Sequence, residues 1–145
     1  MFSVNVSRRS VARRAFTLVE LIVIIVVLAI LSGVAIPKYM DYTSRAKESA
    51  ARATIGAARS AIANFYANSA LTGTAAWPTL VQMQTTGTVL QEALPANPYN
   101  NSSTIVAATW ASTPPVSGSA GYNYDAATGR IWLNSNTSGV TENSW

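Results

Sequence analysis

The 145 residues allow one modest domain and one further element. Hydrophobic residues make up 49% and charged residues 11%, so the chain is more apolar than a typical small soluble protein. It has no cysteine and no histidine, which excludes disulfides, Cys/His metal sites and the usual general base. The formal net charge of +4 is misleading, because Arg8, Arg9, Arg13 and Arg14 all precede the apolar stretch and the other six cations balance six anions. The basicity therefore bears on membrane topology, and no nucleic-acid partner is expected.

From Phe16 to Ile36 the chain reads FTLVELIVIIVVLAILSGVAI, with Glu20 its single charge. About 20 residues at ~1.5 Å each cross a ~30 Å hydrocarbon core, so the segment has the length of a transmembrane helix. The arginines before it place the N-terminus in the cytoplasm and the rest of the chain on the periplasmic side of a bacterial inner membrane. Two simpler readings stay open. One is a cleavable secretory signal using Gly33, Val34 and Ala35 as its small-residue site; the run is longer than the usual ~7–15 residue core and carries a carboxylate. The other is a plain single-pass anchor for a periplasmic protein. Glu20 argues against both, since an ionisable group costs roughly 2.5–3.5 kcal/mol near a membrane centre and less towards the ends. No cation lies close to it within the helix, so its partner is expected from another molecule, a lipid headgroup or a newly made chain terminus.

The run Arg13-Arg14-Ala15-Phe16-Thr17-Leu18-Val19-Glu20-Leu21 closely resembles the leader and cleavage motif of type IV pilins and type II secretion pseudopilins. The resemblance implies that a prepilin peptidase cuts between Ala15 and Phe16 and that Phe16 becomes the N-methylated mature terminus. Its α-amino group would then meet Glu20 of a neighbouring subunit. Ala15 stands where the family usually has Gly; alanine is small enough for the cut, at a lower expected rate. Pro37 falls where the family often has a helix-kinking proline. The motif covers the first quarter of the chain.

Beyond Pro37 the helical signal continues to about Asn68, with three stripes at ~100° per residue. Lys38, Asp41, Arg45, Glu48, Arg52 and Arg59 form a charged stripe, read most simply as a solvated face. Asp41→Arg45 and Glu48→Arg52 are i,i+4 pairs in the favourable direction. Ala51, Ile55, Ala58, Ile62 and Phe65 form an apolar stripe expected to pack on a C-terminal domain. Ala46, Ala50, Ala53 and Ala57 form a small-residue stripe consistent with helix propensity or with close subunit approach.

From Ser69 the composition turns to Thr, Ser, Asn, Gly and Pro. Trp77-Pro78-Thr79-Leu80 predicts a loop entering a short helical turn with Pro at its first position. Leu94 to Asn100 is a turn-rich connector. Ser103–Trp110 predicts a strand, and Gly121–Asp125 with Arg130–Asn134 predicts a hairpin of alternating faces. The expected fold is α+β: a long N-terminal helix, half transmembrane and half amphipathic, on a small antiparallel sheet of about three strands. The domain plan is a basic leader over 1–15, a transmembrane and filament-core helix over 16–37, an amphipathic extension over 38–68, and a loop-and-sheet domain over 69–145.

This layout resembles the major pseudopilin of type II secretion, most clearly at Leu94–Asn100 and Gly121–Leu133. The resemblance implies a structural subunit of a pseudopilus that supports protein export. Its partners would be further copies of itself, minor pseudopilins, the prepilin peptidase and an inner-membrane assembly platform. It would be stored in the inner membrane before entering a periplasmic pseudopilus or a surface filament. A type IV pilus subunit serving adhesion, motility or DNA uptake is the alternative. Many major pseudopilins bind calcium late in the chain; the only acidic residues available there are Asp125 and Glu142, a weak candidate pair. Enzyme activity is not expected, because Ser112 and Ser117 have no histidine to activate them. Only Arg130 follows Arg59 among the cations, so a basic nucleic-acid groove is not expected either.

Overall fold

The computed structural model describes residues 16–141 and residue 145. The chain divides into two compact units, Met1–Asp41 and Tyr42–Trp145. One helix, α1 (Leu18–Leu71), supplies the described secondary structure of the first unit and the opening of the second. Then follow α2 (Leu80–Gln84), β1 (Ile105–Ala107), β2 (Tyr122–Asp125) and β3 (Arg130–Leu133).

In the first unit, the apolar side chains from Phe16 to Ile36 are exposed. Pro37 lies inside the helix; lacking an N–H, it leaves the Gly33 carbonyl without its i+4 donor.

In the second unit, α1 buries Ala51, Ile55, Ala58 and Ile62. Phe65 packs partly buried against the same cluster, so the expected apolar stripe is the one that meets the sheet. The helix ends three residues later than expected, in a Schellman arrangement. Thr74 N–H reaches Ser69 O, Gly73 N–H reaches Ala70 O, and Gly73 adopts φ +101°. Gly73 supplies the left-handed residue that this ending requires.

Before α2, Pro78 is not the first helical residue as expected but precedes the N-cap. Thr79 is the cap: its hydroxyl accepts from Gln82 N–H and Gln82 Oε1 accepts from Thr79 N–H, a reciprocal capping box. The Thr-x-x-Gln spacing, rather than the proline, sets this helix start.

The sheet runs in the order β1-β2-β3 and is mixed, not wholly antiparallel. β2 and β3 form the expected hairpin, pairing Tyr122 with Leu133 and Asp125 with Arg130. β1 lies parallel to β2, with Ile105 opposite Tyr122. A parallel pair needs a connection of about a dozen residues or more, and the long segment between β1 and β2 provides it. β1 is also shorter than the predicted Ser103–Trp110. Trp110 N–H binds the Asp125 carboxylate at 3.0 Å and so leaves the ladder.

The expected alternation of faces holds in direction but not in exposure, for all four residues of β2 are buried. Tyr122 and Tyr124 with Ile131 and Leu133 join the core shared with α1. On the other face the β1–β2 connection covers the sheet. Pro115 O accepts from both Asn123 Nδ2 and Trp132 Nε1, and Trp132 meets Trp110 edge-on. Among the described residues every buried side-chain nitrogen and oxygen has a hydrogen-bond partner.

Candidate functional site

The N-terminal turn of α1 is built by local chemistry. Thr17 stands just before the first helical residue, and Leu21 N–H reaches its carbonyl at 3.2 Å. Glu20 N–H donates to Thr17 Oγ1 at 3.2 Å, and Thr17 N–H donates to Glu20 Oε2 at 3.4 Å. Thr17 and Glu20 thus form a capping box, worth about 0.5–2 kcal/mol to a helix start. A carboxylate in the first turn also suits the partial positive charge of a helix N-terminus. The expectation for Glu20 concerned a cation, and its partner within the turn is the neutral Thr17. The signal for it was already legible as Thr-x-x-Glu before an apolar run. Glu20 Oε1 has no partner among the described residues, so the carboxylate keeps an oxygen for a cation from elsewhere.

Around this turn the surface is apolar. Phe16 is 75% exposed and Leu18 73%, and exposed Val, Ile and Leu side chains continue to Ile36. Among the described residues α1 is the one helix long and apolar enough to cross a membrane. Ala15, the residue before the expected cut, and Arg8, Arg9, Arg13 and Arg14 lie outside the described residues.

The comparison with known proteins covers less than half of the chain. The prokaryotic N-terminal methylation motif matches residues 11–36, which include Ala15, Phe16 and Glu20. The chain is type IV pilin-like, of the prepilin type. The type IV major pilin protein PilE of Neisseria gonorrhoeae is 38% identical over 66 residues, covering 46% of this chain and 36% of the relative. Fimbrial protein EcpC of Eikenella corrodens is 32% identical over 66 residues, covering 46% and 40%. A fimbrial protein of Pseudomonas aeruginosa is 38% identical over 50 residues, covering 34% and 32%. The pilin-like chain therefore spans only about a third of the length of the curated relatives it matches. No solved structure matches it.

Asp125 and Ser117, also singled out in the sequence, have structural partners. Asp125 is buried in the β2–β3 turn. It accepts from Trp110 N–H, Ala127 N–H and the Thr128 hydroxyl, each within 3.0 Å. Burial pushes its pKa up, but these donors outweigh burial and hold it below the ordinary carboxylate value. The other calcium candidate, Glu142, lies outside the described residues, and no cluster of three potential metal ligands occurs among the described ones. Ser117 Oγ bonds Ser119 and Asn134, which makes it part of the loop scaffold.

The charged stripe divides on inspection. Glu48 and Arg52 pair at 2.9 Å, and Arg52 also lies 4.3 Å from the Trp145 ring centre. Arg59, placed by periodicity on the solvated face, instead donates to Ile131 O at 3.2 Å and to the Trp145 main-chain oxygen. Its long stem carries the guanidinium to the outer edge of β3. Ala46, Ala50, Ala53 and Ala57 are exposed, and Gly56 faces open space that nothing in the structure explains.

Proposed function

We propose that the chain is a structural subunit of a filament, assembled through its N-terminal helix after the leader is removed between Ala15 and Phe16. One observation carries the reading: a fully exposed apolar helix surface bears a single carboxylate, Glu20, which has an oxygen free at the end where cleavage would create an amine. Packed copies exchange lipid contacts for close helix–helix packing, and the Glu20 carboxylate selects a register by meeting the Phe16 α-amino group of a neighbour. Before assembly the same surface is held by lipid in the inner membrane, with the second unit on the periplasmic side. Membrane peptidase, assembly platform and minor subunits are the partners this route requires. No enzymatic role is included.

We assign the filament to a type II secretion pseudopilus. A surface type IV pilus is supported equally, because the relatives bear the names major pilin and fimbrial protein. The test is Glu20→Val in the host. Insertion in the membrane should persist while filaments are lost; normal filaments from this variant would remove the register role. Deletion of the chain then separates the two filaments. Loss of exported proteins from the culture medium supports the pseudopilus, and loss of surface fibres with export intact supports the pilus.

A further inference from the structure

Among the described residues of the second unit, the charges do not all find partners within one copy. Arg52 is engaged by Glu48 and Trp145, Arg59 by Ile131, and Arg130 lies over the Trp110 ring. Asp125 is committed to its turn. That leaves two exposed cations, Arg45 and Lys47, and one exposed carboxylate, Glu92; Asp41, four residues before Arg45 on α1, forms no ion pair with it, unlike Glu48 with Arg52.

Glu92 borders an open groove of about 550 Å³ between α1 and the segment 88–95. Ala61 and Phe65 contribute apolar lining, and the side-chain amides of Asn64 and Asn68, without a hydrogen bond among the described residues, line the groove as well. Such a lining suits a long cationic side chain. The methylene stem covers apolar surface, the amide oxygens accept from the charged head, and the carboxylate neutralises it.

The chain cannot supply that side chain to its own groove. On α1 the groove begins at Ala57, ten residues beyond Lys47, and extends to Asn68. At ~1.5 Å per residue the offset is about 15–35 Å along the helix, beyond one side chain's reach. A second copy displaced along the helix axis by that distance brings its cations level with the groove.

We propose that the groove bordered by Glu92 receives the Arg45–Lys47 segment of a second copy of this chain, as a lateral contact between subunits. The proposal rests on the filament reading and adds a specific contact outside the apolar helix surface. It gives the Glu92 carboxylate of one copy a cation from another and repeats along a polymer.

The absence of native cysteine makes the test clean. Glu92→Cys is combined with Arg45→Cys or with Lys47→Cys in the full chain, and filaments are treated with a short bismaleimide. A ladder of covalent dimers and higher multimers is expected from at least one double variant, and none from any single variant. In parallel, Glu92→Lys should weaken each contact about two- to fivefold, the range of an exposed ion pair, and reduce filament yield. Adding Arg45→Glu and Lys47→Glu should restore it. Filaments that form but give neither ladder nor charge-swap rescue overturn the contact and leave the filament reading standing. If Glu92→Cys prevents assembly, the charge-swap arm decides alone. An unsubstituted chain that never forms filaments removes both.

Discussion

Tyr124→Phe isolates one buried hydroxyl with almost no change of shape. Tyr124 is 1% exposed, and its hydroxyl donates to Pro78 O at 2.6 Å, tying β2 to the loop before α2. Removing the oxygen leaves a buried carbonyl without its donor, a loss of about 1–3 kcal/mol. A central value of about 2 kcal/mol lowers the melting temperature of a domain of this size by roughly 8–16 °C. Thermal unfolding of the detergent-solubilised full chain, followed by near-UV circular dichroism, reads the change. Alkaline pH supplies an independent check. Burial, with the Asp125 charge adding to it, pushes the Tyr124 phenol up to about 12, and burial does the same to Tyr122. A raised folded-state pKa contributes stability that is complete below the unfolded value of ~10 and is lost as pH rises through the folded value. The unsubstituted domain should therefore weaken between pH 10 and 12, and Tyr124→Phe should weaken less steeply there. A variant melting within about 1 °C of the parent, with the same alkaline slope, would refute this account of the hydroxyl.

Asp125→Ala should cost about 1–3 kcal/mol, because it leaves the N–H groups of Trp110 and Ala127 without their acceptor. A folded pKa held low gives stability present above the unfolded value of ~3.9 and lost as pH falls through the folded one. Urea titrations should accordingly show an acid-side loss in the parent that is smaller in the variant. Gly129→Ala should destabilise by at least about 1–2 kcal/mol from its φ of +67° alone. The cost should exceed that, because a Cβ there would run into the Trp77 ring; chemical denaturation measures it. Ala15→Asp should block processing, seen by mass spectrometry as a retained leader and an unmethylated Phe16. A product cut after Ala35 would instead support the secretory reading.

Much of this chain was legible because its signals are local. The apolar stripe Ala51, Ile55, Ala58 and Ile62 is a periodicity of one helix, and the β2–β3 hairpin is two short runs joined by a turn. Thr17 and Glu20 are three residues apart, so their capping box is a local signal too, although a charge in an apolar run points first to partners outside the helix. At α2, Pro78 is the louder mark of a helix start, although Thr79 is the cap.

The amino-acid order alone determined the membrane-length helix, the prepilin-type motif, the core-facing side of α1 and the presence of a small α+β domain, all properties of short windows. Tertiary structure decided what depends on residues far apart in the chain. It laid β1 parallel to β2, folded the Pro115 segment over the sheet so that Asn123 and Trp132 are buried, and drew Arg59 from the charged stripe to Ile131. Periodicity gives the direction of a side chain from its own element. What stands in that direction is settled only when a distant segment closes over it and each buried polar group must find a partner.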